Sequence, residues 1–181
     1  VVRRIEIRKP ALKASKRGQI SNTDMKNLEN LKGLEMVTLA GVGITDEGVR
    51  SLCTNRRLKY LWVFDNRITN KSLSHIAKLP DLESLNINVT KITDLMSLSP
   101  LKNLRRLYLA ALKIDDSDLR VLLNFPKLNL LHLHATPITD KSISTLTQLR
   151  NLTELGIPGT RITPRGKASL SKNLPSCKIK K

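Results

Sequence analysis

His132 and His134 stand two residues apart, with Tyr108 upstream and Glu154 downstream. On an extended strand alternate side chains share a face, so both imidazoles would point the same way. Such a pair could begin a zinc site, but zinc takes about three or four ligands, and only Glu154 and Tyr108 fall at neighbouring strand positions. The pair therefore reads as part of a protein-binding surface, one able to respond to pH, rather than as a metal site. Asp115, Asp116 and Asp118 cluster where a turn meets a helix start. A helix N-terminus favours negative charge there without any catalytic role. The sequence contains no glycine-rich phosphate loop, no Cys-x-x-Cys and no His-Glu-x-x-His. Nothing in it arranges a nucleophile, a base and an orienting acid together. The expectation is a protein that is not an enzyme, with no cofactor and no metal.

The elements that position these residues follow from a repeat. A Leu-x-x-Leu-x-Leu core occurs at Leu34-Val37-Leu39, Leu58-Leu61-Val63 and Leu82-Leu85-Ile87. It returns at Leu104-Leu107-Leu109, Leu128-Leu131-Leu133 and Leu152-Leu155-Ile157, with spacings of 24, 24, 22, 24 and 24 residues. Degenerate copies open and close the chain, as Val2-Ile5-Ile7 and Leu174-Cys177-Ile179. An isoleucine follows each internal core (Ile44, Ile68, Ile92, Ile114, Ile138, Ile162), then Thr or Asp, then apolar residues about three apart. The first part of the unit has the period of a strand and the last part that of a short helix. The Thr or Asp between them suits a helix N-cap, and Pro164 suits a first helical position. Asn66, Thr90, Thr136 and Thr160, two residues before their isoleucines, are expected to bond the next unit's turn. Val42 and Leu112 break that series.

No single unit of this kind can bury its apolar face, whereas stacked neighbours can. The six copies in register resemble the leucine-rich repeat family over essentially all of residues 1–181. The Ile-Thr-Asp tail and its following helix look most like the ribonuclease-inhibitor-like or cysteine-containing branch, which includes F-box and bacterial repeat proteins. The resemblance implies an α/β fold, a right-handed solenoid or horseshoe of about seven repeats of 22–24 residues. A parallel sheet would line its concave side and short helices its convex side. One domain is expected over 1–181: an N-terminal repeat at 1–33 with a basic insertion at 8–18, six repeats at 34–173, and a terminating strand at 174–181. Across such an array Cys53 and Cys177 would lie on the order of 25 Å apart, beyond disulfide reach. Both are expected as buried small hydrophobes, which fits a reducing, cytoplasmic compartment. The chain opens on Val1-Val2 with neither methionine nor apolar leader, which reads as a trimmed or mature fragment.

The positions between core leucines would face the concave side. They bring Met36 and Thr38 beside Tyr60, Trp62 and Phe64, then Asn86 and Asn88 beside Arg106 and Tyr108, then His132, His134 and Glu154. The sequence has one Trp, two Tyr and two Phe, and of these only Phe125 falls elsewhere. Rigid aromatics on an exposed sheet supply large contact area at low entropic cost, as recognition hot spots do. These residues are the candidate partner-binding set, the aromatics for area and Asn86, Asn88 and Glu154 for hydrogen bonds. The resemblance implies the same role, a non-catalytic module that binds a protein or peptide.

Charge offers a second reading. With 32 Lys plus Arg against 15 Asp plus Glu, the net charge is +17. Residues 1–18 carry seven cations against one acid, and residues 155–181 seven against none. Basic ends could hold an anionic partner, a nucleic acid or an acidic membrane surface. A nucleic-acid reader would more usually set arginines among the stacking aromatics, where only Arg106 stands. A substrate-recognition arm of a larger ubiquitin-ligase or signalling protein is a further possibility, resting on analogy alone. No apolar run reaches the roughly 20 residues of a membrane-crossing helix.

Overall fold

Alternation of leucine with polar residues makes each strand, because one face must be buried and a period of two buries every second side chain. A computed structural model describes residues 3–8, 21–31 and 33–180. Eight strands form one open, parallel sheet in chain order: β1 (Arg4–Arg8), β2 (Met36–Ala40), β3 (Tyr60–Trp62), β4 (Ser84–Asn86), β5 (Arg106–Tyr108), β6 (Leu130–His132), β7 (Glu154–Gly156) and β8 (Lys178–Lys180). Both degenerate copies thus join the sheet. The register never slips: Ile5, Val37, Leu61, Leu85, Leu107, Leu131, Leu155 and Ile179 lie side by side. From Val37 to Leu155 this row is fully buried, as are Ile44, Ile68, Ile92, Ile114 and Ile138 behind it. The core is a continuous column of stacked Leu and Ile, with Phe125 as its buried ring.

The helical side is less regular than the sequence expectation of one short helix per unit. It carries α1 (Asn22–Lys26), α2 (Asp46–Leu52), α3 (Asn70–Ile76), α4 (Ile143–Leu146) and α5 (Pro164–Asn173). Met96–Leu98 and Asp118–Asn124 are 3₁₀ segments instead, and a 3₁₀ turn at Asp140–Ser142 leads into α4. Met96–Leu98 belongs to the 22-residue unit, where two fewer residues must span the same path. Thr69, Thr139 and Thr163 cap their helices as expected, and Pro164 opens α5. Ser21 and Asp24 form a reciprocal capping box on α1. Most of the basic insertion at 8–18 lies outside the described residues.

Neighbouring units are laced together on this side by a side chain that the sequence expectation placed wrongly. The hydroxyls of Thr90, Thr136 and Thr160 donate to carbonyls of their own units, at Ile87, Leu133 and Ile157. Asn66 reaches back to Leu39 and Gly43 of the preceding unit. The forward link is made by the Asp or Asn two residues after the unit's isoleucine. Asp46 accepts from the Thr69 N–H and hydroxyl at 2.8 and 2.7 Å, and from the Ser72 hydroxyl. Asp116 accepts in the same way from Thr139 and Asp140 from Thr163, while Asn70 accepts from the Thr93 N–H and donates its amide to the Thr93 hydroxyl. The series skips one junction. Asp94 turns back to the Met96 N–H of its own unit, and Asp115 stands where the next Thr would be. Among the described residues no such link joins Asp94 to the following unit.

A second regularity sits just past the strands. Gly41, Asp65, Val89, Ala111, Ala135 and Gly159 all adopt positive φ, between 55° and 70°. Their N–H groups, from Gly41 to Ala135, each donate to the next unit's carbonyl. At Val89 (φ 55°, 53% exposed) a β-branched residue occupies left-handed backbone, which costs roughly 1–2 kcal/mol. Val89→Asn is therefore expected to stabilise the protein by about 0.5–1 kcal/mol, because Asn tolerates this region. A urea melt checks it; an unchanged or lower midpoint would show the strain to be absent.

Cys53 is buried, which pushes its thiol up to about 12. Cys177 differs from expectation in being only half-buried; among the described residues β8 is flanked by a strand on one side alone.

Candidate protein-binding face

Side chains that alternate away from the core form two rows on the open face of the sheet. The first runs Met36, Tyr60, Ser84, Arg106, Leu130, Glu154, Lys178, and the second Thr38, Trp62, Asn86, Tyr108, His132, Gly156, Lys180. Phe64, Asn88 and His134 follow two residues beyond the second row. The expected residues are thus brought onto one face, but they are not equally available.

The rings interlock. Trp62 and Tyr108 meet edge to face with centroids 6.0 Å apart, although they stand on strands separated by β4. Tyr108 meets His132 at 5.1 Å and 89°, and His132 stacks on His134 at 4.7 Å and 19°. On the first row the Arg106 guanidinium carbon lies 5.3 Å over the Tyr60 ring, again across β4. This closeness is possible because β4 contributes only Ser84 and Asn86, both buried beneath their neighbours. The Trp62 indole N–H donates to the Ser84 hydroxyl at 3.0 Å. At the other end Gly156 makes room: a Cβ there would lie 2.1 Å from His134 Nε2.

Several polar groups are already engaged. Asn86 Oδ1 accepts from the Asn88 N–H, and Asn88 Oδ1 from the Ala110 N–H at 2.6 Å. Their carbonyl oxygens shape the turn rather than offering bonds outward. Thr38 is fully buried and its hydroxyl has no partner among the described residues. Glu154 accepts from His132 Nε2 at 2.6 Å and from the Lys180 ammonium. These two bonds, Lys180 first, hold its carboxyl below the usual range. Burial, and then the neighbouring His132, push the His134 imidazole down. Burial pushes the Tyr108 phenol up. Met36, Tyr60, Trp62, Phe64, Arg106, Tyr108, His132, His134 and Glu154 remain half-buried, presenting part of their surface.

Among the described residues, no group of three or more His, Cys, Asp or Glu side chains is placed to hold a metal ion. The Asp115–Asp118 cluster is used locally: Asp115 accepts from the Ser117 N–H and hydroxyl, and Asp118 from the Asp115 N–H. Lys178 and Lys180 were missing from the expected set. The alternation of Cys177 and Ile179 with them carries the same signal that located the other face residues.

No protein-family model and no curated protein matches the sequence. Solved structures do resemble it. A leucine-rich-repeat protein of Leptospira interrogans superposes with a TM-score of 0.62 at 24% identity, over 86% of this chain and 51% of that one. An internalin of Listeria monocytogenes gives 0.59 at 27% identity, over 86% and 49%. Internalin C2 of the same species gives 0.59 at 25%, over 88% and 73%. The chain spans about half the length of the first two. With eight consecutive parallel strands and short helices behind them, these likenesses place the chain in the α/β leucine-rich-repeat solenoid fold.

Proposed function

We propose that the open sheet face binds a protein or peptide and that the chain does no chemistry of its own. The observation that carries this is the run of rings from Trp62 through Tyr108 to His132, which spans four strands without entering the core. Rings fixed by their neighbours lose little freedom on binding, so most of their buried area is available as affinity. Tyr60, Trp62, Phe64, Tyr108 and His132 would supply area. Arg106, His134 and Glu154 would set the partner's register. The neighbouring folds are leucine-rich-repeat proteins, two of them internalins, which supports an interaction module. The ribonuclease-inhibitor-like subtype is our finer reading, supported by the α-helices at Asp46–Leu52 and Asn70–Ile76. A role as the recognition arm of a larger protein also fits the half-length match to the first two neighbours.

The test is affinity capture from nuclease-treated source lysate, with wild type beside a Tyr60→Ala, Trp62→Ala, Tyr108→Ala variant. Circular dichroism establishes that both are folded. Loss of a captured protein in the variant is expected. If both hold the same material and moderate salt removes it, the basic ends are the working surface and the proposal is wrong.

A further inference from the structure

The structure assigns to this face a more definite occupant: an extended acidic peptide segment lying across the strands, with one carboxylate on Arg106 and a second about four residues away on Lys178. This rests on the open-face reading above.

The cations of the face differ in how they are matched. Arg4 is paired with Glu6 at 2.6 Å, and Lys180 with Glu154. Arg106 has no carboxylate partner among the described residues; it rests on the Tyr60 ring, and its Nε is buried with no hydrogen-bond acceptor. A buried donor left unsatisfied calls for an explanation, and a guanidinium already desolvated on one side gains most from an incoming carboxylate. Its planar fork matches that group in two parallel bonds. Lys178 is exposed and likewise has no carboxylate partner among the described residues.

Both cations occupy the first row, on β5 and β8. Three strand spacings of about 4.8 Å put them roughly 14 Å apart, the span of about four residues of extended chain. Between them the row offers Leu130, half-buried, and Glu154, already paired with Lys180 and hydrogen-bonded to His132. A segment with two acids four positions apart and an apolar residue between them meets each group in turn. Nucleic acid fits less well, because a phosphate backbone would have to pass the carboxylate of Glu154 with few cations to follow.

A random twelve-residue peptide library displayed on phage, panned against the folded chain, tests this. The enriched peptides are then titrated by fluorescence anisotropy against wild type, Arg106→Gln, Arg106→Lys, Lys178→Gln and Trp62→Ala. Acidic residues four apart are expected among the enriched sequences, with binding weakened about tenfold by Arg106→Gln, less by Arg106→Lys, and weakened further by added salt. Enriched peptides lacking acids, or unaffected by Arg106→Gln while lost in Trp62→Ala, would overturn the acidic partner and leave the open-face reading standing. Binding left unchanged by Trp62→Ala, Arg106→Gln and Lys178→Gln alike would overturn that reading itself. Failure to enrich any peptide, or displacement of the peptide by a dT oligonucleotide that binds through Arg106, would overturn the peptide as occupant.

Discussion

Leu107→Ala is expected to lower the free energy of unfolding by about 3–4 kcal/mol, well within the range of fully buried leucine truncations. Leu107 lies on β5, fully buried, between Leu85 on one strand and Leu131 on the other. The cavity would open in the middle of a stacked column, where both flanking strands are held by their own neighbours and cannot collapse to fill it. A urea melt followed by circular dichroism measures the loss. A second comparison separates stacking from mere burial. Leu85→Ala and Leu107→Ala touch, so their combined effect should depart from the sum, while Leu85→Ala and Leu155→Ala should add within about 0.5 kcal/mol. A loss under 1 kcal/mol for Leu107→Ala would show that the column relaxes freely.

Asp46→Ala should cost about 2–3 kcal/mol, which is large for a side chain on the helical side. Its carboxylate accepts from the Thr69 N–H, the Thr69 hydroxyl and the Ser72 hydroxyl, so truncation strands three donors of the neighbouring unit. Burial raises its pKa, but the bonds from Ser72 and Thr69 outweigh that and leave it lowered. The sign follows directly. A carboxyl whose folded value lies below its ordinary 3.8 contributes stability above that value and loses it as pH falls through the folded one. Wild type should therefore lose stability below about pH 4, and Asp46→Ala should lose less over the same range. Parallel acid limbs for the two proteins would mean that Asp46 is not held in this way.

Much of the scaffold could be read from leucines alone. A period of two allows only one register once Leu61, Leu85 and Leu107 must share a buried face, and a slip of one residue would expose all of them. The same rule set Tyr60, Trp62, Tyr108 and His132 on the opposite face. Their standing toward a partner was harder to read. Asn86 looks like a free amide in the sequence, but its strand neighbours are a Trp and a Tyr, which close over it and bury it. The forward ladder was hidden because an Asp after Thr also suits a helix's first turn, and the two uses share one residue type. The left-handed positions were illegible at Val89, Ala111 and Ala135, where tertiary bonding overrides what those residues prefer alone.

The missing rung after Asp94 bears on how the array comes apart. In a linear stack, stability divides into what each unit holds by itself and what it shares with its neighbours. The junction beside the 22-residue unit keeps its sheet and core contacts but lacks the Asp or Asn clasp that joins neighbouring units elsewhere along the helical side. Cooperative opening should pause there. Under native conditions the amides on the two sides of that boundary should exchange with deuterium as two groups rather than one. The short repeat would then be a division between foldons within an otherwise continuous sheet.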